Sequence, residues 1–228
     1  MPTVLITGAG RGLGLEFARQ YALNDWKVIA TCWQAEMKEE LDALEGDVSF
    51  HTLDVRDFDR IDELARELDG QPIDLLINNA ALYGPEDGNN LGCLDYDAWA
   101  DAFRVNAMAP IKLAEAFRSH VAKSYRKTMV GISSRMASIA DNTAGGVYAY
   151  RTSKSAMNSA LHSLAIDLYP DGVSVYMLHP GWTRTSIGGP LAFSTPEDSV
   201  DRMRRLLEKL TIEQTGRFLN FDGTVVPW

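Results

Sequence analysis

The sequence predicts an α/β fold, with a doubly wound, mainly parallel sheet and helices on both of its faces. Short apolar runs alternate along the chain with longer helical patterns, an order that is typical of βαβ units. The runs are nearly continuous in apolar residues, as expected for strands covered on both faces, and a glycine-rich turn follows the first of them. Because no stretch rich in Gly, Ser or Pro divides the chain, residues 1–228 are predicted to form one domain of the Rossmann type.

The elements follow from these patterns in chain order. Six strands are predicted: TVLIT at 3–7, KVIAT at 27–31, VSFHTL at 48–53, IDLLIN at 73–78, TMVGIS at 128–133 and VSVYML at 173–178. Apolar residues at helical spacing predict helices at 57–69, 96–122 and 149–169, and Pro110 is expected to kink the second of them. The segment 183–199, which contains Gly and Pro, is predicted to be a substrate loop that orders on binding.

Composition and charge exclude several classes of function. The formal net charge of -9 opposes non-specific attraction to nucleic acid and to anionic membranes. No apolar run reaches the ~18 residues needed to span a bilayer, and the N-terminus does not resemble a secretion signal. Two cysteines, Cys32 and Cys93, are too few for a disulfide scaffold, and the four histidines lack the spacing of a metal site. We therefore expect a cytoplasmic protein without a bound metal.

The turn after the first predicted strand contains four alternating glycines, Gly8, Gly10, Gly12 and Gly14, in the pattern T-G-x-x-x-G-x-G. Glycine permits positive φ angles and lets the backbone approach a pyrophosphate, whose charge the N-terminus of the following helix stabilises. The turn is therefore predicted to bind a dinucleotide. The alternative interpretation is a βα turn that binds no ligand.

The end of the second strand bears on which dinucleotide is bound. An acidic side chain there usually holds the ribose 2′-hydroxyl of NAD(H), but Trp33 and Gln34 occupy that place. Arg11, within the glycine turn, can pair with the 2′-phosphate of NADP(H). The sequence therefore favours NADP(H). If Arg11 is only a solvated surface charge and Glu36 reaches the ribose, the cofactor is NAD(H) instead.

A tyrosine and a lysine stand four residues apart in the sequence YRTSK, at Tyr150 and Lys154. On a helix such a pair lies on one face, with about 5–6 Å between the Cβ atoms. A neighbouring ammonium favours the phenolate, so Lys154 is expected to lower the pKa of Tyr150 and make it a competent acid and base. Alternatively, the two residues are a chance pair on an amphipathic helix.

Several short motifs occur together in the order found in one enzyme family. They are TGAGRGLG at 7–14, LDV at 53–55, NNAA at 78–81, VNAMAP at 105–110, GISS at 131–134, YRTSK at 150–154 and HPGWTRT at 179–185. With these motifs the sequence resembles the classical short-chain dehydrogenases/reductases over essentially its whole length. The segments around YRTSK and at the C-terminus are similar to the carbonyl reductase subgroup of C-factor and Sniffer type.

The resemblance implies four catalytic residues. Tyr150 would be the acid and base, while Lys154 would tune it and hold the nicotinamide ribose. Ser134, the second serine of GISS, would polarise the substrate carbonyl, with Ser138 as the alternative. Asn106 would kink the long helix and hold a water that leads to Lys154.

The resemblance also implies a set of cofactor-binding residues. Asp54 would meet the adenine ring, and Thr185 with the backbone after HPG would hold the nicotinamide carboxamide. The full set lies in the glycine turn, after the third and fourth strands, on the YRTSK helix and after HPG: Gly8, Gly10, Arg11, Gly12, Leu13, Gly14, Asp54, Val55, Asn79, Ala80, Tyr150, Lys154, Pro180, Gly181, Thr183 and Thr185.

The predicted site indicates an oxidoreductase that transfers a hydride between NADP(H), or NAD(H), and a small carbonyl or alcohol substrate. The alternative is a regulatory or signalling protein of the C-factor type that binds a dinucleotide without catalysis. Apolar side chains are candidates for the substrate pocket: Tyr83, Trp182, Leu191 and Phe193. The resemblance further implies a homodimer or a homotetramer, in which the two long helices pack against their symmetry mates.

Overall fold

Parallel strands form one seven-stranded sheet in the computed structural model, which describes residues 1–85 and 88–228. The strands are β1 (Thr3–Thr7), β2 (Lys27–Cys32), β3 (Val48–Thr52), β4 (Leu75–Asn78), β5 (Thr128–Ile132), β6 (Ser174–His179) and β7 (Phe218–Asn220). Their order is β3-β2-β1-β4-β5-β6-β7, and every neighbouring pair is parallel. The predicted α/β fold with a doubly wound parallel sheet is confirmed, and each of the six predicted strands is present.

Helices cover both faces of the sheet. They are α1 (Gly12–Ala22), α2 (Lys38–Asp42), α3 (Phe58–Glu67), α4 (Tyr96–Phe103), α5 (Ala109–Ala122), α6 (Tyr148–Leu168) and α7 (Pro196–Leu207). On one face α1 packs against α7, while α3, α5 and α6 cover the other. Within the described ranges, none of these helices is long and apolar enough to cross a bilayer.

Two apolar clusters, one on each face of the sheet, hold these layers together. Successive strand residues face opposite sides, so Leu5 belongs to one cluster and Ile6 to the other. Phe117 of α5 fills the first cluster and Phe17 of α1 fills the second, and both rings are fully buried. Because both faces are covered, the inner positions of the central strands are apolar on both sides of the sheet.

The sheet reverses its winding between β1 and β4, which are neighbours although β2 and β3 lie between them in the chain. At such a reversal the loops that follow the strands run to opposite faces and leave a cleft at the carboxyl ends. The fold therefore brings the glycine turn and the loops after β4, β5 and β6 to one edge of the sheet.

The predicted helix at 96–122 is not continuous. A π-helical turn at residues 104–108 separates α4 from α5, and the N–H of Ala109 bonds the carbonyl oxygen of Arg104, five residues back. Pro110 lacks the N–H that would bond Asn106 in a regular helix, so the wider turn forms before the proline. The interruption thus precedes Pro110, where the kink was predicted.

The predicted loop at 183–199 is shorter than expected, because α7 already begins at Pro196. The Thr195 hydroxyl accepts a hydrogen bond from the N–H of Asp198 at 3.2 Å, and a proline in the first helical position needs no donor there. The sequence TPED therefore carried a signal for a helix start that the loop prediction overlooked.

The seventh strand, β7, is absent from the prediction. It has only three residues and pairs with β6 at the edge of the sheet, where Met177 lies opposite Phe218. A run of three residues is too short for the alternation or length that marks a strand in sequence. Its formation depends on the neighbouring edge of β6.

Candidate active site

A cleft of about 830 Å³ opens at the carboxyl ends of the strands, where the sheet reverses its winding. The loops after β1 to β6 form its walls. The predicted site residues that line it are Gly8, Gly10, Arg11, Gly12, Leu13, Asp54, Val55, Asn79, Ala80, Ser134, Tyr150, Lys154, Pro180, Gly181, Thr183 and Thr185. Of the predicted set, Gly14 and Asn106 are outside the lining that the described residues form.

The glycine turn lets α1 begin directly against the end of β1. Gly8 and Gly12 have φ angles of 66° and 55°, in the region that favours glycine. A Cβ atom on Gly14 would lie 2.1 Å from the carbonyl oxygen of Gly8, so this contact also requires glycine. Arg11 is the N-cap residue, and no side chain in the described part of the chain caps this helix start. The amide groups and dipole at this end of α1 fit the pyrophosphate of a dinucleotide.

Asn79 fixes the glycine turn to the strand beside it. Its Nδ2 donates to the carbonyl oxygens of Thr7 at 2.9 Å and Gly8 at 3.1 Å. Its backbone N–H donates to the Thr7 hydroxyl at 3.0 Å. These bonds join the ends of β1 and β4. Asn79 therefore holds the glycine turn in place and also lines the cleft.

Tyr150 lies in the first turn of α6 and is 6% exposed. Its ring packs against the ring of Tyr83, with 4.9 Å between the centroids. Burial raises the pKa of the Tyr150 phenol to about 12, because the phenolate would lose its hydration, and the Ser134 hydroxyl opposes this shift. The phenol is therefore protonated at neutral pH and can act as a proton donor.

Lys154 stands one turn further along α6 and is 2% exposed. Its Nζ donates to the carbonyl oxygen of Ile132 at 2.7 Å and lies 5.9 Å from the centre of the Tyr150 ring. Burial lowers the pKa of the Lys154 ammonium to about 7, so only part of its charge remains at neutral pH. The prediction of a lowered pKa for Tyr150 is therefore wrong for this structure, because desolvation, the largest cause, raises it.

Three serines near the end of β5 have different surroundings. Ser134 lines the cleft beside Tyr150, and its Oγ accepts from the N–H of Met136 at 3.2 Å, which leaves its own hydrogen for donation. Ser133 donates to the Oδ1 of Asn158 at 2.7 Å. The Oγ of Ser138 accepts from a backbone N–H in the following turn at 3.0 Å. The geometry therefore favours Ser134 over the alternative, Ser138.

Asn106 lies in the π-helical turn and is fully buried. Its Oδ1 accepts from the N–H of Leu82 at 2.8 Å, and its Nδ2 donates to the carbonyl oxygen of Leu82 at 2.7 Å and to the Ser153 hydroxyl at 2.9 Å. These bonds fix the chain after β4 against α6. The water-holding role of Asn106 stays a prediction, and the described bonds show its side chain engaged by protein groups.

Arg56 is a site residue that the sequence analysis missed. Its guanidinium holds Asp54 through an Nη2–Oδ2 distance of 2.7 Å and an Nε–Oδ2 distance of 3.0 Å. The Arg56 hydrogen bonds hold the pKa of the Asp54 carboxyl below its usual range. An ionised acceptor is thereby fixed at this end of the cleft, which fits contact with an adenine amino group. The sequence signal that could have identified Arg56 was its position directly after the LDV motif.

The loop after β6 closes the far side of the cleft through threonine and backbone contacts. The Thr183 hydroxyl donates to the carbonyl oxygen of Pro180 at 3.2 Å, and the Thr185 hydroxyl accepts from the N–H of Gly188 at 3.1 Å. Gly181 has a φ of 80°, and a Cβ there would lie 2.8 Å from the Phe221 ring. The loop is therefore held by local bonds around the predicted carboxamide clamp.

An apolar wall lies beside Tyr150. Tyr83 and Trp182 line the cleft as predicted for a substrate pocket, and Met136 and Ile187, which the sequence analysis missed, line it as well. The predicted pocket residues Leu191 and Phe193 do not belong to the described lining, since their side chains are 81% and 85% exposed. The Phe193 ring instead packs edge-on against Trp182, with 5.1 Å between the centroids.

Histidine, cysteine and acidic residues form no cluster that could hold a metal ion within residues 1–85 and 88–228. His179 is the histidine that reaches the cleft lining. Burial, with a smaller contribution from Arg135, lowers the pKa of His179 to about 4, so its ring is neutral at physiological pH.

The chain is similar in sequence to a family of dehydrogenases and in structure to carbonyl reductases. A family model described as short chain dehydrogenase matches residues 2–192. The C-signal protein of Myxococcus xanthus is 42% identical over 157 residues, which cover 69% of this chain and 93% of that protein. The carbonyl reductase Sniffer of D. melanogaster is 34% identical with a TM-score of 0.93, and both chains are covered completely. An NADPH-bound carbonyl reductase from chicken fatty liver is 30% identical with a TM-score of 0.90, over 100% of this chain and 99% of that one.

Replacing Lys154 with Met is expected to change how stability depends on pH. The unfolded lysine has a pKa of about 10.4, whereas burial lowers it to about 7 in the folded protein. Between these values the unfolded chain binds a proton that the folded chain does not, so this group makes stability rise by about 1.4 kcal/mol per pH unit. That rise should disappear in Lys154→Met.

Urea unfolding at several pH values between neutrality and about pH 9.5 measures this difference. Lys123→Met, at an exposed position, is the control and should keep the pH dependence of the unaltered protein. Parallel curves for Lys154→Met and the unaltered protein would contradict the assignment of a lowered pKa to Lys154.

Proposed function

Because the chain belongs to the short-chain dehydrogenase family, we propose that it is an NADPH-dependent reductase of small carbonyl compounds. The chain is a nicotinamide-dependent oxidoreductase, as its family and its similarity to carbonyl reductases establish. The observation that carries the proposal is the meeting of Tyr150, Ser134 and Lys154 in one cleft with the glycine turn. A non-catalytic dinucleotide-binding protein would not need this combination of groups.

The buried phenol favours the reductive direction. Bound NADPH would supply the hydride for the carbonyl carbon, and the protein must supply a proton to the oxygen. Tyr150 holds that proton, because burial raises the pKa of its phenol to about 12. The Ser134 hydroxyl would donate a hydrogen bond to the same oxygen as negative charge develops there. Lys154 lies one turn after Tyr150 on α6. It would exchange its proton readily near neutral pH, because its pKa is lowered to about 7.

The walls around Tyr150 indicate the class of substrate. Tyr83, Met136, Trp182 and Ile187 present mainly apolar surface to the part of the cleft that holds the phenol. Such walls favour aldehydes or ketones with apolar substituents, whose burial contributes binding energy without the desolvation of charged groups. We therefore propose an apolar carbonyl compound as substrate, with the segment after Gly181 as its covering loop.

Arg11 supports NADPH over NADH. It is an exposed N-cap residue, and its side chain makes no hydrogen bond or ion pair with another residue in the described part of the chain. A cation at the positive end of a helix dipole is unfavourable unless an anion lies nearby. The 2′-phosphate of NADPH would be that anion. Glu36, the residue that would favour NADH, is exposed and outside the described lining of the cleft.

The assembly and location of the protein are further parts of the proposal. We propose a cytoplasmic homodimer, or a dimer of such dimers, that pairs through the faces of α4, α5 and α6. Large apolar side chains are exposed on or beside these helices: Tyr96, Met108 and Ile166. Both cysteines are free, which is usual in a reducing compartment.

Replacing Tyr150 with Phe tests the reaction. Loss of the proton donor should lower kcat for carbonyl reduction by about 100-fold or more, while NADPH affinity changes by less than about threefold. NADPH oxidation with a panel of aldehydes and ketones gives kcat, and fluorescence titration gives the affinity. Tyr148→Phe removes a hydroxyl two residues away and should keep full activity. Normal turnover by Tyr150→Phe would rule out the proposed mechanism.

Replacing Arg11 with Gln tests the cofactor preference. The loss of one charge-assisted hydrogen bond should weaken NADPH binding by about 10- to 100-fold and leave NADH binding nearly unchanged. Fluorescence titration with both cofactors measures the ratio. Arg205→Gln, at an exposed position on α7, is the control for a general loss of positive charge. An equal effect on both cofactors would argue against 2′-phosphate recognition by Arg11.

Replacing Ile166 with Asp tests the proposed dimer. The unaltered protein should sediment at twice the monomer mass, or at four times that mass as a dimer of dimers, and a charge placed on the pairing face of α6 should shift it toward the monomer. Leu191→Asp changes another exposed apolar residue, in the loop after β6, and should leave the dimer intact. A monomeric unaltered protein at micromolar concentration would refute the pairing.

A further inference from the structure

The helix that carries Tyr150 begins without a cap from its own sequence. Val147, the residue before α6, has left-handed φ and ψ angles of 50° and 47°, and its side chain cannot accept a hydrogen bond. A positive φ is strained for a β-branched residue and persists only where the surroundings enforce it. The first amide groups of a helix also need acceptors from outside the helix. Tyr150 is the third residue of α6, so its position depends on how this start is held.

Asn89 supplies the acceptors from a different part of the chain. Its Oδ1 accepts from the N–H of Ala149 at 2.8 Å, and its backbone oxygen accepts from the N–H of Tyr148 at 3.0 Å. Asn89 is only 2% exposed, so water cannot readily replace these bonds. It therefore caps the start of α6 from the segment that follows β4.

The other half of the Asn89 carboxamide reaches the wall of the cleft. Its Nδ2 donates to the carbonyl oxygen of Tyr83 at 2.9 Å. The Tyr83 ring in turn packs against the Tyr150 ring, with 4.9 Å between the centroids. An amide has one accepting and one donating end, so turning it over would break both side-chain bonds at once. The orientation of Asn89 is therefore fixed by partners on both sides.

We propose that Asn89 is a positioning residue, whose carboxamide holds the Tyr150 phenol and the Tyr83 wall in one fixed arrangement. This inference rests on the proposed reductase function. The phenol must stay within hydrogen-bond reach of the carbonyl oxygen, and a displacement of about 1 Å can lower the rate about 100-fold. Asn89 acts through the two tyrosines and does not itself contact the reacting atoms.

Two substitutions separate the two ends of the carboxamide. Asn89→Asp keeps an acceptor for the Ala149 amide but loses the donor to Tyr83, whereas Asn89→Ala loses both. Asn142→Ala is the matched control, because Asn142 also accepts a backbone N–H before α6, from Gly145 at 3.0 Å, but does so in an exposed turn.

In Asn89→Ala, kcat for carbonyl reduction should fall about tenfold or more, counted per molecule that binds NADPH. In Asn89→Asp, KM for the carbonyl substrate should rise about three- to tenfold while kcat stays within about threefold, because α6 remains capped. Asn142→Ala should match the unaltered protein. A purely stabilising role would reduce the amount of folded protein without this separation of kcat from KM.

Amide hydrogen exchange provides a measurement that does not depend on activity. Exchange at Ala149, whose N–H loses its side-chain acceptor, should be faster in Asn89→Ala than in the unaltered protein, and unchanged in Asn142→Ala. Unchanged exchange at Ala149 in Asn89→Ala would overturn the proposal, as would an unchanged kcat per NADPH-binding molecule. A lack of carbonyl reduction by the unaltered protein would instead overturn the proposed function, and this failure is recognised before any substitution is made.

Discussion

The hydrogen bond from Lys154 to the carbonyl oxygen of Ile132 joins α6 to the end of β5, and the chemistry of the cleft depends on this junction. It fixes an amine inside the protein, where the charged form loses its hydration. Burial lowers the pKa of Lys154 but raises the pKa of Tyr150, because the neutral form of a phenol is the protonated one. Desolvation thus gives the site a phenol that retains its proton and an amine that can release one.

Much of the fold and site could be predicted because their signals are local in sequence. The apolar runs mark the strands that are covered on both faces, and the alternating glycines mark a turn where Gly14 approaches Gly8 too closely for a side chain. The spacing of Tyr150 and Lys154 correctly indicates two residues on one helix face. It does not reveal how deeply that face is buried, so the direction of the pKa shift of Tyr150 could not be read from spacing.

The features that were missed depend on contacts between distant parts of the chain. β7 forms because an exposed edge of β6 is available, and nothing within its own three residues marks it as a strand. Arg56 becomes part of the site because the turn after β3 brings it onto Asp54. Asn89 lies in a polar segment that reads as an ordinary loop, and its importance arises from amide groups about 60 residues further along the chain. Tertiary structure, rather than local pattern, gives these residues their roles.

The π-helical turn at residues 104–108 changes the phase between the two helices that it joins. One additional residue rotates everything downstream by about 100° around the helix axis. Upstream of the turn, α4 therefore contacts the beginning of α6, where the Trp99 indole donates to the Thr152 hydroxyl at 2.8 Å. The downstream part directs Phe117 into the core against the sheet. A deletion of one residue here would remove this rotation and turn one of these two surfaces away from its partner, so the number of residues in the turn is a constraint separate from their identity.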